Sequence, residues 1–565
     1  MKYNNLYHKI AGLALATLAV AACSDDWNEH YDAQQQTGVN STLWQTISGN
    51  ENLSNFAEVI QTCGYDKNLN SNQIFTVFAP TNEYFTETEK RVLIAQYNEE
   101  KAANTKDDDN STIKEFVQNH IALYNYSAAN GREDTLTMMN GKYLTLNTQA
   151  AGGQKILSGN QLHNNGILYI IEGVAPYDHN VFEKLGAIEG LDSIAEFLYS
   201  YNKYEFIPEL SVPGGIENGQ TVYLDSVMQL QNEMFSQLNA KINSEDSTYW
   251  MLAPNNDEWK RLVEEYTPYY TYHKGVEKRD SLNYALARMA ILRGSIFSRT
   301  TNPDAAIQDS IRSTHAISYA RRKSVYGSSE LAYYEYKKPF DEGRPFYGTE
   351  PIEASNGTVW KADTWNIDKK ETFFQTIIVE AENISSSLKE VDETTTNPNP
   401  SVISVPRKNP YYNLISGNSY VEIYPQGSTN TTSTFYIPNV LSNIEYDLYL
   451  VTAPSTAGVE DTSMVAPINR LPNKLRLTLG WYKEDGTEDD ERVVSEIEVS
   501  SIKPDTILVQ SGKTFPTCSY GLQTPQVTLS INTRVSNREI TAGSFNRTLR
   551  VDCIVLKPHE ESESN

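Results

Sequence analysis

The stretch Phe75-Thr-Val-Phe-Ala-Pro-Thr-Asn82 reads as a buried strand that stops at proline and passes through polar capping residues into a helix. The chain repeats it as Tyr249-Trp-Met-Leu-Ala-Pro-Asn-Asn256. Two further matches flank each copy. Leu53-Ser-Asn-Phe-Ala-Glu-Val-Ile60 is similar to Leu191-Asp-Ser-Ile-Ala-Glu-Phe-Leu198, and both predict an amphipathic helix with a polar cap. Asn165-Gly-Ile-Leu-Tyr-Ile-Ile-Glu172 is similar to Asn356-Gly-Thr-Val-Trp-Lys-Ala-Asp363, where Asn-Gly suits a tight turn into a last strand. The offset between copies grows along the chain. The second copy therefore carries two insertions, between Tyr201 and Tyr249 and between Asn256 and Asn356.

These residues carry a family resemblance. FTVFAPTNEYF (75–85) and NNGILYIIEGV (164–174) resemble the two signatures of fasciclin domains. The resemblance covers 41–177 well and 178–367 more loosely. It implies an α+β fold, a wedge-like sheet with helices packed along it, with Asn82 tying a loop together. Family members often carry a Tyr-His pair linked to adhesion. Here the place reads Val117-Gln-Asn-His120-Ile121, with His but no Tyr, and Leu286 to Ile296 of the second copy has no His. His120 therefore reads as a hydrogen-bonded core residue. The acidic run in KAANTKDDDNS (101–111) lacks the alternation and glycine of a calcium loop and reads as a solvated insertion.

From 368 the period changes to two. Leu475, Leu477, Leu479 and Trp481 alternate with polar residues, Asp485-Gly486 marks a turn, and Val493–Val499 reads as the partner strand. Other strands are expected at 373–379, 420–424, 434–437, 445–451, 526–532 and 548–556, so 368–558 reads as an all-β sandwich. STFYIPNVLSNIEYDLYLVTAP (433–454) and RTLRVDCIVLKP (547–558) resemble jelly-roll, galactose-binding-like sandwiches, which include many carbohydrate-binding modules. The resemblance implies aromatic platforms for sugar, and the candidates are Tyr411, Tyr412, Tyr424, Trp481 and Tyr482. Cys518 and Cys553 both fall here, and spacing leaves their pairing open.

The N-terminus reads MKYNNLYHKIAGLALATLAVAAC, with Lys2 and Lys9 before a short apolar run. The run is too short to span a bilayer and suits a signal peptide over 1–22. Val20-Ala-Ala-Cys23 resembles the lipobox of bacterial lipoproteins, which implies lipidation of Cys23 and a tether over 23–40. Ser24, Asp25 and Asp26 resemble a surface-export signal. The expected location is the outer membrane, lipid-anchored and exposed at the cell surface, with the lipid as sole membrane attachment.

Composition narrows function. The 565 residues carry 47 Lys+Arg against 72 Asp+Glu, a formal net charge of −25, which argues against a nucleic-acid binder. Tyr is frequent, 36 against 17 Phe and 7 Trp, which suits a wet binding surface. No H-E-x-x-H, G-x-S-x-G or phosphate loop occurs. The expectation is therefore no enzyme, no cofactor and no metal. Such lipoproteins resemble accessory subunits of SusC/SusD-type uptake systems. The implied partners are a TonB-dependent transporter and its lid lipoprotein, with a glycan or peptide as ligand. A fasciclin-type adhesin is the rival reading, and a secreted hydrolase the third. A tail, 559–565, closes the chain.

Overall fold

The computed structural model describes residues 41–208, 212–217, 220–225, 228–299, 309–321, 330–392, 394 and 400–559. The lipidation and export residues, Cys23, Ser24, Asp25 and Asp26, lie outside the described residues. Two compact units result. One holds the chain to Asp178 together with Lys203–Gln231, and the other holds His179–Asn202 and the chain from Asn232.

In the first unit Phe75–Pro80 is buried along its whole length, because both neighbours and both faces are covered. It runs parallel to Gly166–Ile171 and antiparallel to Ile121–Leu123 within a seven-stranded sheet. The two-residue period sorts its side chains. Phe75, Val77 and Ala79 join a core with Phe56, Val59 and Ile60 of the helix Ser54–Thr62, while Phe78 faces a second core with Tyr169 and Leu144. Asn82 ties the following loop: its Oδ1 accepts from Asn55 N–H at 3.0 Å, and its Nδ2 donates to Glu51 O at 2.8 Å and Ser54 Oγ at 2.9 Å. His120 is fully buried. Its Nδ1–H donates to Phe116 O at 2.7 Å, and its Nε2 accepts from Ala175 N–H at 2.9 Å.

The second unit repeats the plan. Tyr249–Pro254 runs parallel to Gly357–Ala362 and antiparallel to Ile296–Ser298, with Glu350–Ala354 completing a four-stranded sheet. Asn256 stands where Asn82 does, accepting from Ser193 N–H at 3.0 Å and donating to Asp192 Oδ2 at 3.0 Å. Both expected insertions are β-ribbons. The first pairs Val212–Glu217 with Gln220–Asp225 and belongs to the first unit, and the second pairs Ser310–Arg321 with Glu330–Lys337 in this one.

The C-terminal region is a sandwich of two antiparallel sheets. One sheet orders Ser401–Ser404, Ser419–Ile423, Leu549–Pro558, Glu445–Thr452 and Asp505–Thr514, with Ile377–Glu380 also on Leu549–Pro558. The other orders Leu388–Val391, Thr432–Ile437, Val527–Thr533, Asn473–Tyr482 and Glu488–Val499. Two expectations need correction. The partner strand begins at Glu488 rather than Val493, because Asp485-Gly486 alone makes the turn and an edge strand keeps its acidic side chains in water. Leu388–Val391, Ser401–Ser404 and Asp505–Thr514 are strands that the alternation did not reveal. Cys63, Cys518 and Cys553 are free thiols.

Candidate functional site: the outer face of the five-stranded sheet

Alternation builds this face. In Asn473–Tyr482 the side chains of Leu475, Leu477 and Leu479 enter the core, so Lys474, Arg476, Thr478 and Gly480 point outward. In Val527–Thr533 the inward residues are Val527, Leu529 and Ile531, and Thr528, Ser530 and Asn532 point outward. Register then lines up rows across the strands. Thr434, Ser530 and Thr478 form one row, buried at its Thr434 end and ending on Arg492 of the edge strand. Thr432, Asn532 and Arg476 form the next, and Tyr436, Thr528 and Gly480 the third. Side-chain bonds stiffen the rows: Thr434 Oγ1 and Ser530 Oγ are 2.8 Å apart, and Asn532 Nδ2 donates to Thr432 Oγ1 at 2.7 Å. Gly480 keeps its row open, since a Cβ there would lie 2.7 Å from Thr528 Oγ1. The face is therefore a set of hydroxyl, amide and guanidinium groups on a rigid sheet, which suits a polyhydroxylated ligand.

The five candidate aromatics do not form one platform. Trp481 has one ring face covered by Lys513, whose Nζ lies 3.8 Å from the ring centre. Tyr482 stacks on His273 of the second repeat at 4.9 Å and 16°, and its hydroxyl donates to Glu488 at 2.7 Å. His273 Nδ1 accepts from Gly275 N–H at 2.9 Å, and its Nε2 lies 2.7 Å from Gln526 Nε2. Burial holds that imidazole below its ordinary value. Tyr411 and Tyr412 pack on the small core of Val405, Ile415 and Tyr420, and the Tyr411 hydroxyl donates to Ile502 O at 2.8 Å. Tyr424 is the open ring, 51% exposed beyond the end of Ser419–Ile423. Sequence reasoning looked for rings and so passed over the rows, whose members lie on separate strands.

Two other places hold polar chemistry. The second repeat has a groove of about 700 Å³ between Asp192–Tyr199, Asn256–Tyr266 and Arg279–Leu292, where Arg288 lies over the rings of Phe197 at 5.8 Å and Tyr284 at 5.5 Å. In the sandwich, ligand atoms of Glu380, Asp552 and Cys553 lie within 4.8 Å of one another. Asp552 is 1% exposed, and both its oxygens accept from Ser416 N–H, at 3.0 and 3.2 Å. Burial pushes its carboxyl up to about 8 against that bond, with the charges of Glu380 and Glu382 adding to the rise. Carboxylates of this kind are the ligands of a hard cation, whereas the Cys553 thiol, held protonated by burial, is not. No helix among the described residues is long and apolar enough to cross a membrane.

The fasciclin-domain family model matches residues 51–175. No curated protein matches the chain. Among solved structures, a FAS1 domain pair from the insect cell adhesion molecule fasciclin I is similar, at 14% identity, over 57% of this chain and 99% of that one, with a TM-score of 0.19. The CBM22-1 xylan-binding domain of Xyn10C from Paenibacillus barcinonensis is similar at 11% identity, over 33% and 95% of the two chains, with a TM-score of 0.20. A family 11 carbohydrate-binding module from Clostridium thermocellum, solved with a mixed-linked tetrasaccharide, is similar at 10% identity, over 33% and 97%, with a TM-score of 0.19. The region that the fasciclin-domain model matches has mixed α and β structure and is followed by a β-rich C-terminal region.

Proposed function

We propose that this chain is a non-catalytic, cell-surface lipoprotein that captures glycan or peptide as an accessory subunit of a SusC/SusD-type, TonB-dependent importer in the outer membrane. The observation that carries the capture role is the polar outer face of the sandwich, with three cross-strand rows of hydrogen-bonding side chains. Each bond to a sugar hydroxyl contributes about 1 kcal/mol net, so several acting together on a rigid sheet give useful affinity. The fasciclin match over 51–175 supports a docking role for the repeats. The lipobox-like Val20-Ala-Ala-Cys23 and the following Ser-Asp-Asp support anchoring at the outer surface.

Pull-down of the tagged chain from solubilised outer membranes tests the assignment. A stoichiometric transporter with its lid lipoprotein is the expected result, and recovery of the chain alone would sink it. Replacing Cys23 by Ser should release the protein from the membrane fraction. The adhesin reading draws on the same fasciclin match, and binding of intact cells to a matrix without any transporter partner would favour it. Against it stands His120, which has no exposed surface with which to meet a partner.

A further inference from the structure

The outer face has an electrostatic feature that capture of neutral sugars does not require. Arg476 points outward opposite Asn532, and Arg534 follows two residues further along that side, its backbone N–H bonded to Lys474 O at 2.7 Å. Arg492 pairs with Thr478, which shares the Arg476 side of its strand. Adjacent strands lie about 4.8 Å apart, so the three arginines span roughly 10 Å across three strands. Arg492 and Arg534 are exposed and Arg476 half-buried.

Among the described residues none of the three forms an ion pair. Arg476 donates from Nε to Ser495 O at 3.4 Å. The nearby carboxylates Glu539 and Glu496 are taken by Lys474, the second at 3.5 Å. Among the described residues no carboxylate lies within ion-pair distance of Arg476, Arg492 or Arg534. Burial, then the charges of Arg534 and Arg492, hold the Arg476 guanidinium below its ordinary value against the opposing charge of Glu496. A chain of net charge −25 has carboxylates to spare for these cations, yet none of those among the described residues pairs with them beside the row of hydroxyls.

We infer that this face binds an anionic polysaccharide, the three guanidiniums taking its carboxylate or sulfate groups while Thr478 and Ser530 meet its hydroxyls. The inference rests on the sandwich being the glycan-capturing part of the chain. A guanidinium presents two parallel N–H donors to a planar anion, which a lysine does not, and its weak hydration lowers the desolvation cost. The protein's overall negative charge repels polyanions elsewhere, so binding would be confined to this face.

The test is affinity electrophoresis and calorimetry of the full chain with four polymers: polygalacturonate, its methyl ester, dextran sulfate and dextran. Retardation by polygalacturonate, by dextran sulfate or by both is expected, and the pair tells carboxylate from sulfate. The matching uncharged polymer should bind at least tenfold more weakly. Arg476→Gln/Arg492→Gln/Arg534→Gln should lose tenfold or more in affinity, and the exposed single change Arg492→Gln about threefold, with unchanged melting. Raising the salt should weaken the wild type and leave the triple variant little affected. Wild-type affinity in the triple variant would overturn the inference. Binding of neutral polymers alone would overturn it too, while leaving glycan capture intact. If no polysaccharide binds, both readings fall.

Discussion

A Cβ on Gly357 would lie 1.7 Å from Tyr249 O, and one on Gly166 would lie 2.0 Å from Phe75 O. Each glycine opens the last strand of its repeat, where two backbones run parallel in close approach. Each has a positive φ, near 150°. The asparagine before it works as a clamp. Asn356 accepts from Val181 N–H at 2.7 Å and donates to Ile242 O and Ser244 O at 3.0 and 2.8 Å, and Asn165 does the same with Leu43, Leu69 and Ser71. Gly357→Ala should therefore cost its repeat more than about 3 kcal/mol. A melting temperature within a degree of wild type would refute this. At the same scale, His120 is buried neutral, its imidazole pushed down to about 4 by burial, against the hydrogen bond to Phe116 O. A depressed imidazole stabilises the fold fully above its unfolded value of about 6.5 and loses that stability as pH falls toward 4. The first unit should lose up to about 3 kcal/mol over that window, and His120→Asn should flatten the dependence. Denaturant midpoints at pH 7 and pH 4.5 read the difference, and parallel losses in both proteins would count against it.

Elements were legible where the period was clean. Phe75–Pro80 and its copy showed themselves through a mostly apolar run ending at proline, and Asn473–Tyr482 through its leucines. Glu488–Val499 was half hidden, because an edge strand whose outer residues are acidic has the composition of a loop. The candidate site was less legible still. Its rows exist only once Thr432–Ile437, Val527–Thr533 and Asn473–Tyr482 are in register, and no single segment encodes that. Leu549–Pro558 holds a prediction of its own. It is paired by Ile377–Glu380, Ser419–Ile423 and Glu445–Thr452, and so buries Asp552 at the centre of its sheet. A carboxyl raised to about 8 stabilises the fold below its unfolded value of 3.8 and ceases to do so as pH climbs through the raised one. Between pH 5 and pH 8 the wild type should lose about 2 kcal/mol or more relative to Asp552→Asn, which keeps an acceptor for Ser416 N–H without the charge. A gap that stays constant with pH would remove the explanation.

At the scale of the molecule, the second repeat and the sandwich belong to one compact unit, and the loop after Asn256–Tyr266 shows why. Pro268 O accepts from Ser442 Oγ at 2.8 Å, and Thr271 N–H donates back to that hydroxyl at 3.0 Å. Cys518 N–H donates to Thr271 O at 2.6 Å, the Tyr272 hydroxyl to Tyr520 O at 2.6 Å, and Lys274 N–H to Glu484 O at 2.9 Å. Tyr270, Tyr272 and Cys518 are all buried by this junction. Separating the two parts would uncover those rings and leave backbone groups without partners, each a loss of about 1 kcal/mol or more. The two parts should therefore unfold together. Calorimetry of the full chain should show the second repeat and the sandwich within a single transition. Tyr272→Ala, removing a buried ring and its bond, should move that whole transition down by about 3 kcal/mol. Should the variant instead split it, with the sandwich still melting at the wild-type temperature, the repeat and the sandwich would be independent bodies and the junction merely a contact between them.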